Sequence, residues 1–288
     1  EQLRGRGYAT AGFSIPHFFH VSQGLGQGFS TFESPWPIDE WEDYIGRSDP
    51  LTTDAALGFL ENRPEDRPFF LFAHYQCAHG PYVGHTEHDF GSDSTAQYDS
   101  AVASCDEHVG RLLDALDEPP YRESTAVIIF SDHGEELGYR GHAYHGSSLY
   151  EPAIRTLLLM RVPGAHLPSS VDAPVVLTDI NPTIRDLTGV AKPANLHGWS
   201  LFTEGSRANR PLFFFTGHVG RTTPVMIHGL LYEDRMLFRD TQTGTVELYD
   251  MAADPNQERN LARTDPDTVS RMSEMLEGLF EYVSRRVR

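Results

Sequence analysis

Ten consecutive residues decide how the centre of this chain folds: Ala126-Val127-Ile128-Ile129-Phe130-Ser131-Asp132-His133-Gly134-Glu135. The first five are apolar without interruption, which predicts a strand buried on both faces. Asp132 and His133 come directly after it, and ligands of α/β proteins collect at the carboxyl ends of strands. Both side chains can reach one divalent metal ion there, because Gly134 lets the backbone turn sharply. The alternative is that Asp132 caps the next helix and His133 is a surface residue.

Strand and helix patterns alternate on both sides of this stretch. Short apolar runs predict strands at residues 69–73 and 156–160. Apolar residues at helical spacing predict a helix over residues 98–116. A second helix is predicted over residues 178–187, with Thr178 as its cap. This alternation predicts an α/β sandwich around a central, mostly parallel sheet flanked by helices.

The pattern changes after about Arg207. Turn signals such as Thr243-Gly244 separate short strand candidates, and an amphipathic helix over residues 267–285 follows them. We therefore predict two domains: an α/β core over residues 1–206, and a C-terminal subdomain over residues 207–288 with a small antiparallel sheet and one helix. The short strand candidates are residues 213–215, 225–227, 235–238 and 246–249.

Histidines follow two of the predicted strands. His79 lies in the loop after the strand at residues 69–73, so it could share a pocket with Asp132. His142 and His145 lie in or after a polar, glycine-containing loop that can fold back over the strand end. A protonated imidazole there would stabilise negative charge on a leaving group or an oxyanion. For any one of the 14 histidines, the alternative is a solvated or hydrogen-bonded residue.

The charge balance excludes nucleic acid as a main partner. The chain has 23 basic and 41 acidic residues and a net charge of −18, whereas binding to phosphates needs a basic surface. Lys192 is the only lysine, and all other basic residues are arginine. An acidic, lysine-poor chain suits a salt-rich cytoplasm, so the hypothesis is a cytoplasmic protein of a halophilic archaeon. GC-rich codon usage explains the arginine bias nearly as well.

Two further features concern the compartment. No apolar run is long enough to span a bilayer, and the first six residues follow no signal-peptide pattern. Neither Cys77 nor Cys105 belongs to a Cys-x-x-Cys motif, so both are predicted to be buried free thiols. The sequence predicts no oligomeric state.

Several stretches, in order, resemble the sulfatase family of the alkaline-phosphatase-like superfamily. The resemblance extends over nearly the whole chain. It implies the alkaline-phosphatase-like sandwich as the fold. The stretches are Arg67-Pro68-Phe69-Phe70 through His79-Gly80-Pro81-Tyr82, Tyr98-Asp99 with Asp106, Ser131 to Glu135, His145-Gly146 with Tyr150-Glu151, residues 177–189, His197 to Leu201, and Glu247-Leu248-Tyr249-Asp250 with residues 254–262.

This resemblance implies that the protein is a sulfuric ester hydrolase. Asp132 and His133 would be ligands of one divalent metal ion, Ca²⁺ in the family's usual pattern. His79 and His145 would contact the sulfate and its ester oxygen. The nucleophile would be a formylglycine made from a Cys/Ser-x-Pro-x-Arg motif, and the substrate a small-molecule or glycan sulfate ester.

The sequence departs from the family pattern in several ways, one of which is that residues 12–17 lack the lysine of the family's Gly-Lys-x-His stretch. It contains no Cys/Ser-x-Pro-x-Arg motif, so we expect the formylglycine upstream of this chain and the fragment alone to be inactive. His145 stands where many sulfatases have lysine. The pair Asp132-His133 replaces Asp-Asn. Since imidazole suits Ca²⁺ poorly and Mn²⁺ or Zn²⁺ better, these are alternative metals, and Mg²⁺ is a further one. The alternative functions are a related phosphodiesterase, phosphonate hydrolase or phospho-group transferase, or a non-catalytic product.

Overall fold

A computed structural model gives the fold of this chain. Contacts between Cα atoms divide it into two compact units. The predicted boundary at residue 207 lies outside the described residues, so the division at 206/207 stays a prediction. Unit 1 is Glu1–Val127, Arg161–His166 and Thr188–Val190, and unit 2 is Ile128–Met160, Leu167–Leu187 and Ala191–Arg288. The structure describes residues 1–14, 24–34, 48–76, 78–83, 85–203, 210–218 and 225–286.

Unit 1 contains a three-stranded parallel sheet. Its central strand β1 (Ala9–Phe13) pairs with β2 (Thr31–Glu33) on one side and with β3 (Phe69–Ala73) on the other. Strand β1 is almost wholly buried because it has a neighbour on each side. The prediction of a strand at residues 69–73 is confirmed.

Helices complete unit 1. The short α1 (Gln2–Gly5) precedes the sheet, and α2 (Ser48–Asn62) and α3 (Ser94–Asp117) follow in the chain. Helix α3 confirms the prediction for residues 98–116 and starts four residues earlier, because the Asp93 carboxylate accepts from two backbone N–H groups of its first turn. A 3₁₀ turn covers Thr86–His88. The core joins sheet and helices through Ala11, Phe13, Ala56, Leu60, Leu112 and Leu116.

The central apolar run forms strand β4 (Val127–Phe130), which pairs with β5 (Leu158–Arg161). Both predicted strands are confirmed, although β5 begins two residues later than predicted. The prediction that β4 is buried on both faces is wrong: its first three residues are half-buried, and Phe130 is 39% exposed. Among the described strands β4 pairs with β5 alone, and such a two-stranded ribbon covers its faces less than an interior position does.

Short helical segments lie between β4 and β5 in the chain and again after β5. Helix α4 (Glu151–Ile154) has proline in its first turn, and a 3₁₀ turn (Leu177–Asp179) leads into α5 (Ile180–Thr188). The prediction that Thr178 caps this helix is wrong. Val176 precedes the turn, and the Asp179 carboxylate accepts from the Val176 N–H at 3.2 Å, which leaves Thr178 inside the turn.

The C-terminal part of unit 2 is a four-stranded antiparallel sheet with one long helix, as predicted. The strands follow the order β6-β7-β8-β9, and the helix packs on one face of the sheet through Leu230, Leu237, Leu248, Met272 and Leu276. None of the described helices is long and apolar enough to cross a membrane. The elements are β6 (Leu212–His218), β7 (Val225–Tyr232), β8 (Arg235–Asp240), β9 (Val246–Asp250) and α6 (Pro266–Arg286).

Candidate active site

Asp132 and His133 form a donor pair directly after β4. The Asp132 carboxylate accepts from the His133 backbone N–H at 2.9 Å, and His133 Nδ1 donates to the Gly134 carbonyl at 2.8 Å. That second bond fixes the tautomer, so Nε2 carries the free lone pair. His133 Nε2 lies 3.5 Å from Asp132 Oδ2. Two atoms at this separation can share one cation that lies about 2.1–2.4 Å from each.

Gly134 is required by a close backbone contact. A Cβ atom at this position would lie 2.1 Å from the Pro152 carbonyl oxygen and 2.8 Å from that of Arg155. The Gly134 N–H donates to the Ala153 carbonyl at 2.9 Å. The turn that carries Asp132 and His133 is therefore packed directly against the backbone of α4, a stronger constraint than the sharp turn that the sequence suggests.

His145 lies beside this donor pair. Its ring centroid is 3.9 Å from that of His133, with 31° between the two ring planes. Its Nδ1 lies 3.2 and 3.3 Å from the two oxygens of Glu135, whose side chain is only 5% exposed. The hydrogen bond that the ring donates to the Glu135 carboxylate raises the pKa of His145, and partial burial opposes this rise. The structure thus brings three predicted residues together: Asp132, His133 and His145.

Glu135 is a member of the candidate site that sequence analysis alone does not single out. Its carboxylate lies beside Nδ1 of His145 and orients the ring. The signal that the sequence offers is an acidic residue two positions after the candidate ligand His133. His142, the other predicted candidate in the loop, has its Nδ1 2.9 Å from Ser147 Oγ.

His79 belongs to unit 1, on the turn after β3. Its Nδ1 donates to the Gly80 carbonyl at 2.6 Å. The loop is held by α2, because the buried Asp49 carboxylate accepts from the Gln76 N–H at 2.7 Å. Burial raises the pKa of Tyr75 to about 12. That His79 shares a pocket with Asp132 stays a prediction.

The donor set fits a divalent metal only as part of a larger site. Within the described residues, no group of three His, Cys, Asp or Glu side chains could hold a metal ion. Asp132 and His133 supply one carboxylate oxygen and one imidazole nitrogen, a mixed pair that suits Mn²⁺ better than Ca²⁺. Further ligands would have to come from outside this group.

Two family models match this chain. The family described as "Sulfatase" matches residues 1–190. A second family, "N-sulphoglucosamine sulphohydrolase, C-terminal", matches residues 141–284. Arylsulfatase K of Mus musculus is 29% identical over 284 residues, which cover 94% of this chain and 49% of that protein. The chain thus spans about half the length of the curated relatives that it matches most fully.

Solved structures confirm the predicted alkaline-phosphatase-like fold. A 2-O GAG sulfatase superposes with a TM-score of 0.76 at 20% identity, over 98% of this chain and 73% of that one. A protein in complex with its substrate D-glucosamine-2-N,6-O-disulfate gives a TM-score of 0.75 at 20% identity, over 98% and 80%. With a family match across residues 1–190 and this fold, the chain belongs to the sulfatase family.

Proposed function

We propose that the protein to which this chain belongs hydrolyses a sulfate ester with the help of one divalent metal ion. The observation that carries the proposal is the group of Asp132, His133 and His145 after β4, with Glu135 behind it, in a chain of the sulfatase family. Two donors for a cation thus lie next to an imidazole that can serve the leaving group.

Asp132 Oδ2 and His133 Nε2 would hold the metal ion, together with ligands from outside this group. When bound, the ion would supply positive charge that orients the sulfuryl group and offsets its negative charge. Ca²⁺ follows from the family pattern, the imidazole ligand favours Mn²⁺ or Zn²⁺ over Ca²⁺, and Mg²⁺ is a further alternative.

His145 would protonate the departing alcohol oxygen as the sulfur–oxygen bond breaks. Its contact with Glu135 favours the protonated imidazolium, the form that a general acid needs. His79 would bind a sulfate oxygen through its Nε2 atom. A formylglycine outside these residues would supply the nucleophile.

The substrate class that we favour is a sulfated sugar. The protein solved in complex with D-glucosamine-2-N,6-O-disulfate and the 2-O GAG sulfatase both share this fold. The match of residues 141–284 to the C-terminal N-sulphoglucosamine sulphohydrolase family supports the same class. Aryl sulfates are the simpler probes of the same chemistry.

The second candidate function is phosphoryl or phosphonyl transfer, which the pair Asp132-His133 favours through its preference for metals other than Ca²⁺.

The complete protein should be assayed with 4-nitrophenyl sulfate, glucosamine 6-sulfate, bis(4-nitrophenyl) phosphate and a phosphonate monoester, each with Ca²⁺, Mn²⁺ or Mg²⁺. Release of sulfate at a kcat/KM at least about tenfold above that for the phosphate diester supports the proposal. The reverse order would move the assignment to phosphate esters.

We also infer from the net charge of −18 that the protein works at high salt. The urea midpoint of unfolding should then rise between 0.1 and 2 M KCl. A midpoint that falls over this range would contradict the inference.

A further inference from the structure

The loop between His133 and His145 has an unusual backbone. Leu137 and Arg140 have positive φ angles of 47° and 51°, and two glycines of the loop, Gly138 and Gly141, have φ angles of 92° and 85°. Residues other than glycine adopt this left-handed conformation at an energetic cost, and such a conformation persists when surrounding contacts determine it. The contacts that hold Arg140 are therefore what fixes the loop.

Arg140 is held by three tyrosine rings. Its guanidinium carbon lies 4.4 Å from the ring centroid of Tyr150, 5.5 Å from that of Tyr139 and 5.6 Å from that of Tyr249. Nη1 donates to the Tyr249 hydroxyl at 3.1 Å, and Nη2 donates to the Gln257 carbonyl. A flat guanidinium that both stacks on rings and donates in plane cannot be replaced by an ammonium group.

The partners of Arg140 belong to the C-terminal sheet and the segment after it. Tyr249 is 2% exposed and lies on β9, and Gln257 is fully buried. The Gln257 side-chain oxygen accepts from the Glu151 N–H at 2.7 Å, so the same residue also holds the start of α4. The Tyr139 hydroxyl donates to the Asn256 carbonyl.

In the sequence His145 lies between Arg140 and Tyr150, which both contact residues of β9. Arg140 lies five positions before it and Tyr150 five positions after it, and the Tyr150 hydroxyl donates to Glu247 on β9 at 3.0 Å. Next to it, the Gly146 carbonyl accepts from Thr216 Oγ1 on β6 at 2.7 Å. The chain that carries His145 is therefore tied to the C-terminal sheet at three places.

We propose that Arg140 is a positioning residue. By joining residues 136–146 to Tyr249 and Gln257, it holds His145 beside Glu135 and His133, so that the C-terminal sheet forms part of the active-site scaffold. This inference rests on the proposed function for its effect on turnover, whereas its effect on the order of the loop does not depend on the substrate.

The order of the loop is measured first, by hydrogen exchange of the backbone amides of residues 137–146. Arg140→Ala should speed their exchange at least about tenfold, and Arg140→Lys should give an intermediate effect because it keeps the charge alone. Tyr249→Phe removes one acceptor hydroxyl and should give a smaller increase. Arg155→Ala is the matched control, since the Arg155 side chain is 79% exposed. Unchanged exchange in Arg140→Ala and Arg140→Lys would overturn the proposal.

Turnover is then measured in the complete protein. Arg140→Ala should lower kcat about 10- to 100-fold with unchanged metal content. Millimolar guanidinium ion should raise the kcat of this variant at least about fivefold, because it can enter the site between the tyrosine rings. Arg155→Ala should keep the parent kcat. Faster exchange with parent kcat, or a lost kcat that guanidinium does not restore, would overturn the positioning role. If the unaltered protein turns over no sulfate ester, the proposed function fails, and the exchange result still decides whether Arg140 fixes the loop.

Discussion

Nδ1 of His145 lies 3.2 Å from a Glu135 carboxylate oxygen, and the Glu135 side chain is almost completely buried. A buried carboxylate behind an imidazole orients the ring and stabilises its positive charge. Glu135→Gln keeps the shape and removes the charge, so kcat should fall about 10²-fold, with a smaller change in KM. Steady-state kinetics on a sulfate ester check this.

Glu277→Gln is the control for that substitution, because Glu277 is exposed on α6 and pairs with Arg239 at the surface. It should leave kcat unchanged. Parent kcat in Glu135→Gln would show that the contact with His145 has no part in the reaction.

Gly134→Ala should destabilise unit 2 and displace the turn that carries Asp132 and His133. The new methyl group would meet the Pro152 carbonyl oxygen at 2.1 Å, and backbone atoms cannot move aside as a flexible side chain does. We expect a loss of about 3 kcal/mol in the free energy of unfolding, measured with urea. Gly110→Ala is the control: no atom lies within 4 Å of its Cβ position in α3, so it should be neutral or stabilise by up to about 1 kcal/mol. Equal free energies of unfolding for the two variants would contradict the packing.

The ion pair of Asp179 and Arg210 is buried, with exposed fractions of 1% and 9% for the two side chains. The same carboxylate accepts from the Trp199 N–H at 2.7 Å. Arg210→Met would leave the aspartate charge buried without its cation, at a cost of about 3–5 kcal/mol. Arg239→Met breaks the exposed pair with Glu277 and should cost about 1 kcal/mol or less. Urea unfolding of both variants tests this, and equal losses would show that burial of the pair contributes nothing.

Cys105 is a free thiol as predicted but only half-buried, whereas Cys77 lies outside the described residues. Partial burial, reinforced by the Asp49 carboxylate, raises the pKa of the Cys105 thiol. The folded state therefore keeps its proton where the unfolded chain, with a thiol pKa of about 8.5, releases it. The stability contribution is complete below about pH 8.5 and falls as the pH rises above it. In a Cys77→Ser background, Cys105 should react with iodoacetamide at pH 8.5 at least about 100-fold more slowly than in urea. Equal rates in the two conditions would contradict the burial of this thiol.

The pattern of apolar residues predicted the elements of the fold well, because local spacing determines where strands and helices form. Residues 69–73 and the four C-terminal strands are examples. The exposure of β4 could not be predicted in this way, since a continuous apolar run indicates burial without showing which neighbours are present. The cap of the 3₁₀ turn was missed because Asp179 reaches back to a residue before the turn.

The candidate site was predicted in part. Asp132, His133 and His145 lie close together because strand ends collect polar residues in this fold. Arg140 was not predicted, since its partners Tyr249 and Gln257 are 109 and 117 residues away in the sequence. A contact between such distant residues depends on the tertiary fold and leaves no periodic pattern.

The metal-dependent hydrolysis of a sulfate ester by the complete protein tests the central claim most directly. Turnover of 4-nitrophenyl sulfate and metal content are measured together for the parent protein, for Asp132→Ala and for Asp172→Ala, in which an exposed aspartate remote in sequence is removed. The account predicts that Asp132→Ala loses bound metal and at least about 10³-fold in kcat, while Asp172→Ala keeps both. Near-normal turnover and metal content in Asp132→Ala would contradict the assignment of this site.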